Sequence, residues 1–187
     1  MVSITVDTAA RERSRVMRRR GVVVLALFAV LWAAVGASGL TAGTAGMVRI
    51  AAVIPSIAIV LLAYHPGSAE LPERQRYQPQ GWYRHVGIVN LVQAAAIAVT
   101  VLGFIAADVP QLVPPVVSLI VGLHFLPLAR LFDQPQYRWT GAGLSAASVA
   151  GLLILAVGPG AEASRIVAGF AAAATLWATS ARLALRS

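Results

Sequence analysis

Arg18-Arg19-Arg20-Gly21-Val22-Val23-Val24-Leu25-Ala26-Leu27-Phe28-Ala29-Val30-Leu31-Trp32-Ala33-Ala34-Val35-Gly36-Ala37-Ser38-Gly39-Leu40 decides the fold. After the three arginines, twenty residues pass without a charge. As a helix they extend about 30 Å, the thickness of a bilayer's hydrocarbon core. A basic start before an apolar run also describes a secretory signal, and Ala42-Gly43-Thr44-Ala45 has the small residues of a cleavage region. The run is longer than the roughly 7–15 residues of a signal core, however, and Arg18-Arg19-Arg20 lacks the rest of a twin-arginine pattern. An uncleaved first transmembrane helix is expected.

The same pattern recurs along the chain. Apolar runs cover residues 47–64, 86–107, 112–129, 140–157 and 166–181. Six such runs give an all-α, polytopic membrane bundle arranged as three hairpins. A basic segment (1–20) precedes the six-helix domain (21–183), and a short C-terminus (184–187) follows. Composition agrees: of 187 residues 58% are hydrophobic and 12% charged, against about 25% charged in a soluble domain. So few charges leave too little polar surface to face water on every side.

Arginine distribution orients the spans. All fifteen basic residues are Arg, and the formal net charge is +8. On one side fall six at the N-terminus, then Arg74, Arg76, Arg84, Arg130, Arg138, Arg182 and Arg186; the other side has only Arg49 and Arg165. Basic short loops remain cytoplasmic, so both termini are expected inside, in the inner (plasma) membrane. Trp82, Tyr83, Tyr137 and Trp139 flank spans on that side, where amphipathic rings favour the headgroup layer. Basic residues split between loops, rather than gathered on one face, argue against nucleic acid as a partner. The absence of Cys removes disulfides, thiolate nucleophiles and Cys-ligated metals.

Polar residues within spans are the functional suspects, because hydrocarbon penalises them. Asn90 and Gln93 lie three apart on the third span, and His124 lies on the fourth. Asn90 is six residues from Arg84 and His124 six from Arg130, about 9 Å deep in each. A tight outer turn, Asp108-Val109-Pro110-Gln111, makes these helices neighbours, so the three side chains are expected to meet. They form either an interhelical hydrogen bond or a polar pocket open to the cytoplasm. Pro127 cannot donate to the Leu123 carbonyl, which predicts a kink beside His124. Pro55 does the same in the second span. His65, His85 and His124 are of a type that ligates zinc or haem, but no pair has local ligand spacing and no carboxylate accompanies His124. No metal or cofactor is expected.

Gly143, Ala147 and Gly151 recur every fourth residue on the fifth span, with Gly141 and Ser145 as a second row and Gly169 and Ala173 on the sixth. Such spacing serves either packing within the chain or a homodimer seam. On the outer side, Arg49 and Arg165 either pair with Asp108 or Glu162 or extend to the headgroups as a solvated rim, the reading preferred here. Arg49-Ile50-Ala51-Ala52 and Arg165-Ile166-Val167-Ala168 occupy matching places after outer turns, where the second hairpin has Leu112-Val113-Pro114-Pro115.

Enzymatic chemistry finds little support. Gly143-Leu144-Ser145-Ala146 approaches a rhomboid nucleophile motif, but alanine replaces its final glycine and the intramembrane His124 precedes the serine. No HExxH, nucleotide-binding glycine loop or intramembrane carboxylate is present. Gly122-Leu123-His124-Phe125-Leu126-Pro127-Leu128-Ala129, with Tyr137 and Thr140-Gly141, resembles a stretch of small uncharacterised multi-pass bacterial integral membrane proteins. That resemblance implies a membrane location and carries no activity. The expected function is transport-like or small-solute binding at Asn90, Gln93, His124 and Pro127. The alternative is a non-catalytic structural or regulatory subunit whose partner, beyond the lipid bilayer, is another membrane protein or a second copy.

Overall fold

The computed structural model describes residues 2–65, 82–132, 134–158 and 160–185, which are helical apart from short turns. The helices are α1 (Val2–Ala37), α2 (Ala42–Ala51), α3 (Val53–Tyr64), α4 (Trp82–Ala106), α5 (Val113–Leu131), α6 (Gln136–Val157) and α7 (Ala161–Leu185). A 3-10 turn, Pro110–Leu112, leads into α5. Among the described residues, six helical stretches are long and apolar enough to cross a membrane, α2 and α3 together supplying the second. Arg74, Arg76 and Arg186, and the side chains of Arg11, Arg13, Trp82 and Tyr83, lie outside the described residues.

Helix ends differ from the lengths of the apolar runs for physical reasons. The first helix begins at Val2, so the basic segment continues the transmembrane helix; its alanines, glutamate and arginines are strong helix formers. α4, α6 and α7 each extend a turn past the hydrocarbon-length run. Arg84, Arg138 and Arg182 lie in these extensions. The second span is interrupted where α2 stops at Ala51 and Ala52 forms a turn. Pro55 is the cause, since it has no N–H for the Ala51 carbonyl. α5 instead runs through Pro127 to Leu131, and Pro114 and Pro115 sit in its first turn, where a missing N–H is harmless. Gly158, at φ 114°, closes α6 in the left-handed conformation.

α7 is the central helix, packing on α1, α6, α3 and α5. From one edge to the other, the order is α2 and α3, α1, α7, α6, α5, α4. The three expected hairpins are in contact, yet the most extensive interface joins the first helix to the last. Small side chains explain it. Ala29, Ala33 and Ala37 of α1 and Ala168, Ala172 and Ala173 of α7 are buried, and Gly36 meets Gly169. A Cβ at Gly169 would lie 2.3 Å from the Gly36 nitrogen and 2.9 Å from the Trp32 carbonyl oxygen.

The glycine rows of the fifth span are also used within the chain. A Cβ at Gly141 would meet the Gly122 carbonyl of α5 at 2.7 Å, one at Gly143 would meet Thr175 of α7 at 2.7 Å, and one at Gly151 would meet Ala168 at 2.9 Å. Intramolecular packing therefore occupies these rows.

Hydroxyl groups fasten the same seams. Ser118 Oγ donates to the Leu144 carbonyl at 3.0 Å, Ser164 Oγ to Gly151 at 2.9 Å and Ser180 Oγ to Val22 at 3.0 Å. Trp177 Nε1 donates to Ser56 Oγ at 2.8 Å, and that hydroxyl donates to the Ala26 carbonyl at 3.0 Å, tying three helices together. Thr140 and Thr179 hydroxyls bond at 2.7 Å. At the basic end of α1, Arg19 Nε donates to the Ala63 carbonyl at 3.2 Å, and its guanidinium lies 4.8 Å from the Tyr64 ring centroid.

Candidate functional site on the fourth and fifth helices

α4 stands apart from the other helices. It packs substantially only on α5 and the intervening 3-10 turn, and no part of its most apolar stretch is buried inside the chain. Leu91, Val92, Val99, Leu102 and Ile105 are exposed, as aliphatic side chains facing lipid should be. Val86, Val89, Gln93, Ala96, Thr100 and Phe104 are partly buried. They recur every three or four residues and so form the stripe that meets α5.

The polar residues divide between faces. His124 of α5 is half-buried and lies against the backbone of Val89, the residue before Asn90. Its ring also meets Phe125 edge-on, with centroids 6.1 Å apart. Gln93 belongs to the α5-facing stripe. Asn90 is exposed, rotated about 60° from Gln93 around the helix. Neither carboxamide hydrogen-bonds with another described residue, so the expected meeting of Asn90, Gln93 and His124 is realised only as His124 against the Val89 backbone. A β-branched residue gives no warning that its backbone will serve a histidine, so sequence reasoning missed Val89. Pro127 is exposed on α5 rather than turned toward α4.

Gly87, Ala94 and Ala98 are exposed on the same flank as Asn90, all four within about 80° of arc. A Cβ at Gly87 would meet nothing within 4 Å. Small residues at this spacing were visible in the sequence but overshadowed by the stronger glycine rows of α6.

No family model matches the chain, and no curated protein or solved structure is significantly similar to it.

The other candidates lie apart. Asp108 occupies the α4–α5 turn with φ 58°, at the edge of the bundle opposite α2, which holds Arg49. Among the described residues, none of Arg49, Asp108, Glu162 and Arg165 joins an ion pair. Glu162 is exposed, whereas Arg165 Nε is buried with no hydrogen-bond partner among the described residues. The Arg-Ile repeat also falls on unlike helices, one the interrupted α2 at the rim and the other the central α7. Among the described residues, no three His, Cys, Asp or Glu side chains cluster to hold a metal.

Proposed function

We propose that this chain is a multi-pass plasma-membrane protein with both termini cytoplasmic, acting as a non-catalytic subunit whose third span docks another transmembrane helix. The orientation follows from thirteen arginines on one side against two on the other. The role rests on one observation: α4 carries the unpartnered carboxamides of Asn90 and Gln93 on a helix that no other span encloses. Asn90 sits about 9 Å inward from Arg84, beyond the headgroups. An amide stranded in hydrocarbon costs several kcal/mol, on the order of 4 or more in a solvent without hydrogen bonds. A neighbouring helix that supplies a donor or acceptor removes that cost. The inner helices support the same reading, because their backbones approach through Gly, Ala and Ser and form the solid body on which α4 is mounted.

A spin label on a single cysteine at position 94 tests it in native membranes. Docking predicts an immobilised label at Ala94→Cys and a mobile one at Val99→Cys. Equal mobility at both sites would refute the docking role.

The second reading, a small-solute site, draws on the half-buried His124 facing α4 at Val89. Its consequence is that His124→Leu abolishes the binding or flux of a polar solute while insertion and folding persist.

A further inference from the structure

We infer that the helix docked on α4 belongs to a second copy of this chain, forming a parallel dimer with Asn90 at its centre; this rests on the docking role proposed above. Two copies inserted in the same direction relate by a two-fold axis along the membrane normal. Such a contact is isologous, so a residue near the axis meets itself at the same depth. A carboxamide is suited to that geometry, since it donates through its nitrogen and accepts through its oxygen. Asn90 of one protomer therefore satisfies Asn90 of the other with two reciprocal hydrogen bonds. A foreign helix would need its own polar residue at that depth and angle, whereas symmetry supplies one automatically.

The flank around Asn90 has the shape such a contact requires. Gly87, Ala94 and Ala98 are exposed, and the Gly87 surface is open. Their size lets two α4 backbones approach closely enough for a short Asn side chain to span the axis. Gly87 and Ala94 are seven residues apart, the period of a left-handed helix pair, and the partly buried Val101 and exposed Ile105 follow toward the outer end. A single Asn in such a seam fixes register and partner number. The opposite flank carries Ile88, Val92 and Val99 alongside Ala95, Gly103 and Ala106, and it has no polar side chain at the depth of Asn90.

The chain contains no cysteine, so single-cysteine variants of the full-length protein report the seam directly. In phosphatidylcholine–phosphatidylglycerol liposomes, oxidation should cross-link Gly87→Cys and Ala94→Cys at least about fivefold more than Val92→Cys and Val99→Cys. In the cysteine-free protein, Asn90→Leu should weaken dimerisation, followed by energy transfer on lipid dilution, about tenfold. Asn90→Gln should retain most of it. Asn90 makes no described internal bond, so Asn90→Leu should leave thermal unfolding of the monomer unchanged. Equal cross-linking on the two flanks, or dimerisation insensitive to Asn90→Leu, overturns the inference. If position 94 is nevertheless immobilised in native membranes, the helix-docking role survives and a different protein is the occupant. A mobile label there as well removes both.

Discussion

The crossing of α1 and α7 offers the sharpest test of the packing. Gly169→Ala adds one methyl group at a point 2.3 Å from the Gly36 nitrogen and 2.5 Å from its Cα. Ordinary contact begins near 3.4 Å, so the helices must separate by about 1.1 Å or bend. Both obstructing atoms are backbone, and no side chain can rotate away. Overpacking typically costs about 1–3 kcal/mol, and a backbone clash at the most extensive interface belongs at the upper end. Against this, Gly→Ala within a helix gains up to about 1 kcal/mol of propensity. The net expectation is a loss of about 2 kcal/mol, measured by unfolding in mixed detergent micelles. Gly103→Ala is the matched control, because nothing lies within 4 Å of its Cβ position, and it should be neutral or stabilising. Equal stability of the two variants would show that α1 and α7 do not meet through Gly36 and Gly169.

Other substitutions follow from the hydroxyl bonds. Ser148 is fully buried and its hydroxyl has no partner among the described residues; Ser148→Ala should raise unfolding stability by about 1 kcal/mol. Ser180→Ala, which removes the bond to the Val22 carbonyl, should lower it by about 1 kcal/mol in the same assay. Thr179→Val severs the link to Thr140 across α6 and α7 and should cost about 0.6–1.7 kcal/mol, since Thr140 keeps its bond to the Gln136 carbonyl. Tyr64→Leu removes the ring facing Arg19 and should cost about 0.5–1 kcal/mol by thermal melting in detergent.

The spans were legible because a charge-free run of about twenty residues has few alternatives to crossing a bilayer. Their neighbours were less so. Hairpin logic pairs each helix with the next, but the α1–α7 contact depends on Gly36 and Gly169, which are far apart in sequence. Pro55 and Pro127 look equivalent as letters, yet the helix is interrupted near one and continues through the other. The difference lies in surroundings that sequence does not state. His124, Asn90 and Gln93 could be placed at similar depths from Arg84 and Arg130. Rotation about the helix axis then turned Asn90 away from α5, because Val86, Val89, Gln93 and Phe104 offer the contact stripe. Arg49 and Asp108 share a predicted side, yet they sit on α2 and the α4–α5 turn at opposite edges of the bundle, while Glu162 and Arg165 share the central α7.

The account depends most on which solvent surrounds these helices and which way they point. Single cysteines at Ser38, Asp108 and Gly160 and at Glu12, Phe132 and Leu185, probed in intact cells with a membrane-impermeant maleimide, address both at once. The first three should label directly, and the last three only after the membrane is permeabilised. Labelling of Glu12→Cys or Phe132→Cys from outside intact cells, or recovery of the chain in buffer without detergent, would contradict it.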